Sequence, residues 1–407
     1  MALPALRLYR YLTPSIGNAL LKNRPLTFAY MKRTLQKQAS KKIDPEKVKG
    51  LVYVSTSTDV HANLSLEDWL YNNTDLSDTT LMILWRNDPC VVIGRHQNPW
   101  AEVNLRLLWN SNVKLARRRS GGGTVYHDLG NLNVTFFSTR ERYNRSKNLD
   151  LISRALKRTW PHLSVSVSER DDLIVDNFFK ISGTSSKLGR KIAYHHCTLL
   201  HSVDKTRLKE MLHVSKDGLN SKATPSIHSK VKNLADIEPA ICHDSLVKCI
   251  SNEFYRQYSP YKESRNANLG ANMFRVKSDA TEQNKLYEVN PTDEDMWKGI
   301  PVLCNVLRSW DWVYGKTPRF SISERRGAIK VTVHVYQATI EGIVVEAPPG
   351  WMHVDEVQMF ADHMKGQYFW SDKVADAMTA FLSAHDSDAE TLRKYRLLSS
   401  MIRDAAS

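Results

Sequence analysis

The chain has 407 residues, of which 42% are hydrophobic, and a formal net charge of +14 at pH 7. That length exceeds what one compact core usually contains, so we expect two folded domains and a tail. No stretch reaches the ~20 consecutive apolar residues that cross a bilayer, so we expect a soluble protein with no membrane partner.

The positive charge is concentrated at the N-terminus. Residues 1–43 contain no Asp or Glu, and the first acidic residue is Asp44. The basic residues of this stretch are Arg7, Arg10, Lys22, Arg24, Lys32, Arg33, Lys37, Lys41 and Lys42. This composition is typical of a mitochondrial presequence, so we predict that residues 1–43 are a disordered transit peptide and that the protein resides in the mitochondrial matrix. The alternative is a basic arm that binds nucleic acid or anionic lipid. Without the arm, the positive excess is too small to predict a nucleic-acid partner.

The cysteines form no recognisable framework. The chain has five of them, Cys90, Cys197, Cys242, Cys249 and Cys304, and no two are spaced as CxxC. An odd number of scattered cysteines indicates a reducing compartment such as the cytosol or the matrix.

The region before residue 140 contains short strands and helices around a glycine-rich turn. The predicted elements are a strand at 51–55, a helix ending near Leu70, strands at 80–86 and 90–94, a helix at 104–110, and strands at 114–118 and 131–138. Either Asp59 or Ser65 is the predicted N-cap of the first helix. Because Asn87-Asp88-Pro89 is a turn signal, we expect the strands at 80–86 and 90–94 to pair as a hairpin.

The middle of the chain predicts a second hairpin between two helices. The expected elements are a helix at 149–159, strands at 173–176 and 178–183, a strand at 191–200, and a helix at 244–258. Asp176-Asn177 is the expected turn between the first two of these strands. Residues 259–301 are polar and weakly patterned, and we interpret them as a connection.

The C-terminal part predicts a further hairpin and two closing helices. Strands are expected at 328–337 and 339–346, and helices at 373–385 and 389–403. Several hairpins in one mixed sheet with flanking helices favour an α+β fold over a parallel nucleotide-binding array. We place the domain boundary near Ser309, which gives a catalytic domain at 44–308 and an accessory domain at 309–407.

The glycine-rich turn is the first candidate for chemistry. Three arginines, Arg117, Arg118 and Arg119, precede three glycines at 121–123. Glycines let a ligand approach the main chain, and successive N–H groups in such a turn form an anion-binding concavity. A phosphate-binding Walker loop is excluded because no Lys-Ser/Thr pair follows. Since side chains alternate along a strand, at most two of the arginines face a ligand.

A second candidate is Lys180, which stands between an aromatic pair and Ile181 on a strand predicted to be half-buried. A lysine in that position is costly unless it meets an anion. The alternatives are a lysine that protects an edge strand from aggregation, or a side chain that extends to solvent.

A third group resembles a metal site at first sight. His195, His196, Cys197 and His201 are close in sequence, but neighbouring residues on a strand point to opposite faces. The usual zinc spacings are absent, so we predict no metal site. A Cys197 nucleophile is an alternative, although no residue pattern marks its thiol as activated.

Four collinear segments then identify a family. Residues 93–104, 116–137, 170–200 and 310–320 resemble lipoate-protein ligases, and most closely the mitochondrial lipoyltransferase branch. The resemblance extends over about residues 50–407. It implies a catalytic domain of the biotin/lipoate-protein ligase type, with mixed or antiparallel sheets and flanking helices, and a small α/β C-terminal domain.

The resemblance also implies a set of binding residues. The glycine loop would wrap the acyl chain and acyl phosphate of lipoyl-AMP, Arg118 and Arg170 would contact the nucleotide, and Lys180 would be the catalytic lysine at the acyl-phosphate junction. The complete implied set is Arg118, Ser120, Gly121, Gly122, Gly123, Thr124, Val125, Tyr126, Arg170, Lys180, Thr198, Thr224 and Ser226. The last two belong to a loop at 221–232 that closes over the adenylate. We expect Val134, Phe136, Phe178 and Ile181 to form the walls around the acyl tail.

The activity implied is lipoyl transfer from lipoyl-AMP, or from a lipoylated glycine-cleavage H protein, to lipoyl domains of 2-oxoacid dehydrogenase acyltransferase subunits. No covalent acyl-enzyme and no tightly bound cofactor are expected, and the default oligomeric state is a monomer. One alternative is a full lipoate-protein ligase that also uses ATP and Mg²⁺, although no acidic cluster in the sequence indicates a magnesium site. Another keeps the fold but transfers octanoyl or biotin. The alternative of another class is a basic RNA- or lipid-binding protein.

Overall fold

The computed structural model describes residues 48–214, 217–227, 229–258, 285–385 and 387–407. The transit peptide predicted at 1–43 lies outside the described residues, as does the part of the predicted connection at 259–284. Within the described ranges, no helix combines the length and apolar character needed to cross a bilayer.

A six-stranded mixed sheet forms the centre, in the order β10-β11-β6-β2-β1-β13. Its strands are β1 (Lys49–Ser55), β2 (Thr79–Trp85), β6 (Asn131–Thr139), β10 (Thr184–Leu188), β11 (Ile192–Leu200) and β13 (Leu286–Val289). Strand β1 runs parallel to β2 and β13, whereas β2, β6, β11 and β10 pair antiparallel. Every residue of β2 after the first is buried, as expected for an apolar strand covered on both faces.

Helices cover the sheets on several sides. They are α1 (Val60–Asn73), α2 (Pro99–Glu102), α3 (Leu105–Asn110), α4 (Arg145–Thr159), α5 (Lys205–Leu212), α6 (His243–Tyr258), α7 (Ile300–Arg308), α8 (Trp310–Val313), α9 (Val354–Met364), α10 (Ser371–Ala384) and α11 (Ala389–Ala406). Asp59 is the N-cap of α1, because its side chain accepts from the N–H of Ala62. The alternative prediction, that Ser65 is the N-cap, was wrong. Helices flanking mixed sheets confirm the predicted α+β class.

The two faces of β6 differ in chemistry, and this difference positions the candidate site. Leu132, Val134 and Phe136 pack with apolar residues of α4 and α6 in one core cluster. Thr135 points the other way and donates to the carboxylate of Glu67 on α1. Because side chains alternate along a strand, one face of β6 is apolar core and the other is polar.

A smaller three-stranded sheet corrects the first predicted hairpin. It contains β3 (Cys90–Ile93), β4 (Lys114–Arg117) and β5 (Val125–His127), in the order β4-β3-β5. The predicted pairing of 80–86 with 90–94 is therefore wrong, because β2 pairs with β1 and β6 instead. Strand β3 pairs with β4 and β5, so each of these two buried strands takes both of its neighbours from elsewhere in the chain.

The second predicted hairpin is confirmed. Strands β8 (Leu173–Val175) and β9 (Phe179–Lys180) pair antiparallel beside β7 (Val165–Val167). Asp176 and Asn177 between them have φ of 54° and 55°, the left-handed pair that a tight hairpin turn requires. Strand β9 is shorter than predicted and ends at Lys180.

The C-terminal sheet has the order β12-β14-β15-β16. Its strands are β12 (Asn220–Ser221), β14 (Phe320–Arg326), β15 (Ile329–Tyr336) and β16 (Thr339–Glu346), which confirms the predicted hairpin at 328–346. Strand β12 precedes the boundary placed near Ser309, yet it pairs with β14. The division into 44–308 and 309–407 stays a prediction.

Some elements escaped the sequence analysis. The connection predicted at 259–301 is wrong from residue 286 onward, because β13 and the first residues of α7 lie there. Helix α9 was not predicted either.

Candidate active site

A cavity of about 350 Å³ lies between the central sheet, the small sheet and the glycine loop. Of the predicted site residues, it brings together Arg118, Gly122, Gly123, Thr124, Val125, Arg170, Lys180, Thr198, Thr224 and Ser226. Ser120 and Gly121 do not line this cavity, and Tyr126 lines a second one beside it. Most of the predicted set therefore faces one volume.

Arg118 holds the glycine loop in shape. Its guanidinium donates to the carbonyl oxygens of Gly121 and Gly123 at 2.6 and 2.7 Å, and to the Ser120 hydroxyl at 3.1 Å. Burial lowers the pKa of Arg118 to about 10, so it is charged at neutral pH. Gly122 has φ of 80°, and a Cβ there would lie 3.1 Å from the Arg118 guanidinium. The loop therefore requires glycine at this position.

The other two arginines of the run have structural partners. Arg117 is fully buried and donates to the Val313 carbonyl at 2.6 and 2.8 Å and to the Thr317 hydroxyl at 2.9 Å. Arg119 pairs with Asp68 at 3.1 Å and lies 3.8 Å from the centre of the Trp312 ring. Arg118 is thus the arginine of this run that lines the cavity.

Lys180 meets an anion, as its position in the sequence requires. Its ammonium lies 3.0 Å from the carboxylate of Asp172, and its side chain is 24% exposed. The backbone of Lys180 bonds to Lys230 at 3.0 Å and to Lys232 at 3.1 Å, so β9 is held on both sides. No sequence pattern identifies Asp172 as the partner, because the contact depends on the geometry of the hairpin.

A second cavity, of about 570 Å³, adjoins the first. The residues that line both are Thr124, Val125, Lys180, Gly183, Thr198, Ser226, Ile227 and Ser229. Four lysines line the second cavity, Lys180, Lys205, Lys209 and Lys230, together with apolar Leu208 and Leu212 of α5. This combination suits an anionic ligand that also has a large nonpolar part.

The inner end of the first cavity carries a buried polar network. His196 bonds to Glu67 at 2.8 Å through Nδ1 and to the Ser120 hydroxyl at 2.9 Å through Nε2. The Thr135 hydroxyl donates to the same carboxylate of Glu67 at 3.0 Å and accepts from the Trp85 indole at 3.0 Å. The sequence analysis had grouped His196 with a metal cluster and had not identified Glu67.

Two polar atoms beside this network lack a hydrogen-bond partner within the part of the chain that the structure describes. They are His127 Nε2 and Asn133 Nδ2, and both residues line the cavity. Burial, with Arg118 and His196 nearby, lowers the pKa of His127 to about 3, so its ring is neutral at pH 7. The inner wall therefore offers uncharged polar groups to a ligand.

The predicted walls of the acyl tunnel were wrong. Val134, Phe136 and Ile181 belong to the core cluster under α4 and α6, and Phe178 is 59% exposed. The apolar residues that line the first cavity are Leu64, Trp85, Val92, Val125, Pro225 and Ile227. The alternation of β6 explains the error, because the cavity lies on its polar face.

The strand of His195 to Cys197 contains no metal centre of the usual kind. His195 faces Phe136 and Asn148, whereas His196 faces Glu67 on the other side of the sheet. Among the described residues, no group of three or more His, Cys, Asp or Glu side chains is placed to hold a metal ion. Burial raises the pKa of Cys197 to about 12, so its thiol is protonated and unsuited to be a nucleophile.

The predicted closing loop reaches the glycine loop. The Ser226 hydroxyl accepts from the N–H of Thr124 at 2.9 Å and from the amide of Gln97 at 3.0 Å. The Thr224 carbonyl accepts from the same Gln97 amide at 3.3 Å. Gln97 was missed by the sequence analysis, although it lies in one of the four segments of the family resemblance.

The chain is similar to known proteins over most of its length. The family described as "Lipoyl protein ligase A/B catalytic domain" matches residues 59–255. The chain is 39% identical to human mitochondrial lipoyl amidotransferase LIPT1, over 87% of this chain and 91% of the relative. It is 37% identical to lipoate-protein ligase A of Bdellovibrio bacteriovorus, over 66% and 73%. It also resembles the crystal structure of P. falciparum LipL1 with lipoate, with a TM-score of 0.54, 26% identity, and coverage of 87% of this chain and 99% of that one.

Proposed function

The chain belongs to the lipoate-protein ligase family, and from that premise we propose that its two adjoining cavities bind lipoyl-AMP. The protein is a lipoyltransferase, an enzyme that forms a lipoyl-lysine amide on an acceptor protein. A basic RNA- or lipid-binding protein, the alternative of another class, is not favoured by these relatives.

One observation supports the site more than any other. The glycine loop at Gly122 and Gly123 and the ammonium-bearing side chain of Lys180 line the same cavity. Main chain without a Cβ lets an acyl phosphate approach closely, and a cation on the facing strand stabilises its charge. Lys180 also lines the larger cavity, so it stands at the junction between the two volumes.

The two cavities suit the two halves of the substrate. The first has apolar walls at Leu64, Trp85 and Val92, and a polar inner end at His127 and Asn133, which suits an acyl chain ending in a dithiolane. The second has the lysines and the apolar face of α5, which suits a nucleotide monophosphate. Arg118 and Arg170, which were expected to contact the nucleotide, line the first cavity instead. The mixed anhydride would then lie beside Lys180.

The transfer step needs no covalent enzyme intermediate. The neutral ε-amine of the acceptor lysine attacks the carbonyl carbon of the anhydride, and a C–N bond forms. The bond between that carbon and the phosphate oxygen breaks, AMP leaves, and the amine nitrogen releases a proton. Lys180 stabilises the negative charge that develops on the carbonyl and phosphate oxygens. Asp172 orients Lys180 through its 3.0 Å ion pair.

The acceptors and the location follow from the same proposal. We assign the lipoyl domains of 2-oxoacid dehydrogenase acyltransferase subunits as acceptors and the glycine-cleavage H protein as a second donor. We place the enzyme in the mitochondrial matrix as a monomer without a tightly bound cofactor. Two relatives that carry the word mitochondrial in their names support this location.

The test is a comparison of two donors. The full-length protein is incubated with an apo lipoyl domain and either lipoyl-AMP or lipoate with ATP and Mg²⁺, and the acceptor is weighed by mass spectrometry. We expect the lipoyl mass increase with lipoyl-AMP alone. Modification with both donors would identify a full ligase, octanoyl or biotin transfer would change the acyl group, and no modification with either donor would refute the proposal.

A further inference from the structure

The Ser226 hydroxyl joins the segment at 217–227 to the glycine loop. Ser226 Oγ donates to the carboxylate of Glu102 and accepts from Thr124 N–H and from Gln97 Nε2. A serine hydroxyl offers one donor and two acceptor lone pairs. All of these are used here, so the orientation of the hydroxyl is determined by its three partners.

The Glu102 carboxylate is the acceptor that orients the Ser226 hydroxyl. It is the last residue of α2, a short helix that begins after the N-cap Asn98. Besides the Ser226 hydroxyl, its carboxylate accepts from the Ser226 N–H at 3.2 Å. It also lies 3.4 Å from the Thr124 hydroxyl, which donates to Gln97 Oε1 at 2.8 Å. One carboxylate therefore joins the glycine loop to the 217–227 segment.

The position of this contact relates it to the substrate. Glu102 and Thr124 line the larger cavity, and Ser226 lines both. Thr124 is the first residue after the triple glycine, and its N–H is paired with Ser226 Oγ, so the contact fixes the end of the glycine loop beside the cavities. The same segment is tied at its other end, where β12 pairs with β14.

We propose that Glu102 is a positioning residue that holds Ser226, and with it the 217–227 segment, in the geometry that binds the acyl-adenylate. This inference rests on the proposed function. A segment held in place before the substrate arrives loses less conformational freedom on binding. Removal of the carboxylate therefore weakens substrate binding and leaves the chemical step at Lys180 intact.

The kinetics of lipoyl transfer separate an effect on substrate binding from an effect on the chemical step. We expect Glu102→Ala to raise KM for lipoyl-AMP about tenfold and to change kcat by less than about threefold, because a charged acceptor with several donors is lost. Glu102→Gln retains an oxygen that accepts from the Ser226 hydroxyl. Its KM should therefore lie between that of the unmodified enzyme and that of Glu102→Ala. Glu141→Ala, at an exposed position beyond the end of β6, is the matched control and should behave as the unmodified enzyme.

A double-mutant cycle tests the pair directly. If Glu102 acts through Ser226, the variant with both Glu102→Ala and Ser226→Ala should have a KM no higher than that of the more affected single variant. Independent, multiplicative effects would overturn the proposal. So would an unchanged KM in Glu102→Ala, or a loss confined to kcat.

Limited proteolysis tests the contact without any activity. Lys222 is exposed within the segment, and trypsin cleavage after it reports how often the segment opens. With the full-length protein, we expect cleavage after Lys222 to be about tenfold faster in Glu102→Ala, a change that corresponds to the lost hydrogen bonds. Saturating lipoyl-AMP should restore protection.

The two readouts distinguish the inference from the function on which it rests. Faster cleavage in Glu102→Ala without any lipoyl transfer by the unmodified protein would refute the proposed function and leave the contact standing. Equal cleavage rates in the presence of normal transfer would refute the role of Glu102 alone.

Discussion

At the scale of single residues, Lys180 carries the clearest expectation. Its ammonium pairs with Asp172 and lines both cavities, where charge develops during transfer. We predict that Lys180→Ala lowers kcat for lipoyl transfer by about 10²–10³, as for the loss of one stabilising donor. The measurement is transfer from lipoyl-AMP to an apo lipoyl domain.

Lys232 supplies the control for that variant. It directly follows Val231, the bridge partner of Lys180, and it pairs with Asp176 at the surface at 3.1 Å. Lys232→Ala removes an equal charge near β9 without altering the cavities, so its kcat should be close to that of the unmodified enzyme. Normal kcat in Lys180→Ala would contradict the catalytic assignment.

Gly122 gives a second prediction at this scale. Its φ of 80° and the 3.1 Å approach of the Arg118 guanidinium leave no room for a side chain. We expect Gly122→Ala to lower the free energy of unfolding by about 1–3 kcal/mol and to reduce lipoyl transfer, because the loop must change shape.

The neighbouring glycine provides the comparison. A Cβ at Gly121 would have no atom within 4 Å. The free energy of unfolding of Gly121→Ala should therefore differ from that of the unmodified protein by less than about 0.5 kcal/mol, the range of surface substitutions. Equal stability losses in the two variants would show that the local geometry of Gly122 is unimportant.

At the scale of elements, turn signals in the sequence predicted one hairpin correctly and another wrongly. The Asp176-Asn177 turn formed as expected, whereas the Asn87-Asp88-Pro89 turn did not pair the strands on either side of it. The difference lies in burial. Strands β2 and β3 are buried along almost their whole length and choose partners by packing, which a turn cannot determine.

The β8–β9 turn yields an element-scale prediction. Asn177 has φ of 55°, which asparagine and glycine tolerate and β-branched residues do not. Asn177→Val should lower the free energy of unfolding by about 1–2 kcal/mol and also reduce lipoyl transfer, because β9 carries Lys180. Asn177→Gly should preserve both the free energy of unfolding and lipoyl transfer. Chemical denaturation measures the first, and a transfer assay measures the second. A stable, active Asn177→Val would mean that the turn does not position Lys180.

At the scale of the whole molecule, buried histidines make stability depend on pH. Burial lowers the pKa of His61 and His201 to about 4 and that of His127 and His195 to about 3. Since the unfolded chain binds protons near pH 6.5, the free energy of unfolding should fall as pH decreases from about 6.5 towards 4. Each histidine contributes up to roughly 1.4 kcal/mol per pH unit in that window.

Urea denaturation at pH 7, 6 and 5 measures this slope. His61 gives a matched variant, because neither of its ring nitrogens has a hydrogen-bond partner among the described residues. His61→Leu should therefore make the free energy of unfolding less dependent on pH, by the contribution of one histidine. A free energy of unfolding that stays constant from pH 6.5 to 5 would contradict the burial of these rings.

Long-range contacts also connect the glycine loop to the C-terminal part of the chain. Arg117 donates to Val313 and Thr317, and the Trp312 indole donates back to the Arg117 carbonyl at 2.7 Å. Because a buried arginine leaves several carbonyls unpaired when it is lost, this contact makes the loop depend on residues 312–317. From the sequence, at most two of the three arginines were expected to face a ligand, and no pattern indicated that Arg117 would bond to residues 313 and 317.

The sequence by itself determined the family, which the relatives confirm, and the α+β class, the Asp176-Asn177 hairpin and ten of the residues that line the first cavity. These features are encoded by motifs and periodicities within short segments. Only the tertiary structure decided the partners of β2 and β3, the walls of the cavity, and the contacts of Glu67 with His196 and of Glu102 with Ser226. Those residues are 129 and 124 positions apart, and no local pattern specifies which distant side chain a carboxylate will meet. That choice depends on the packing of the sheets and loops that bring them together.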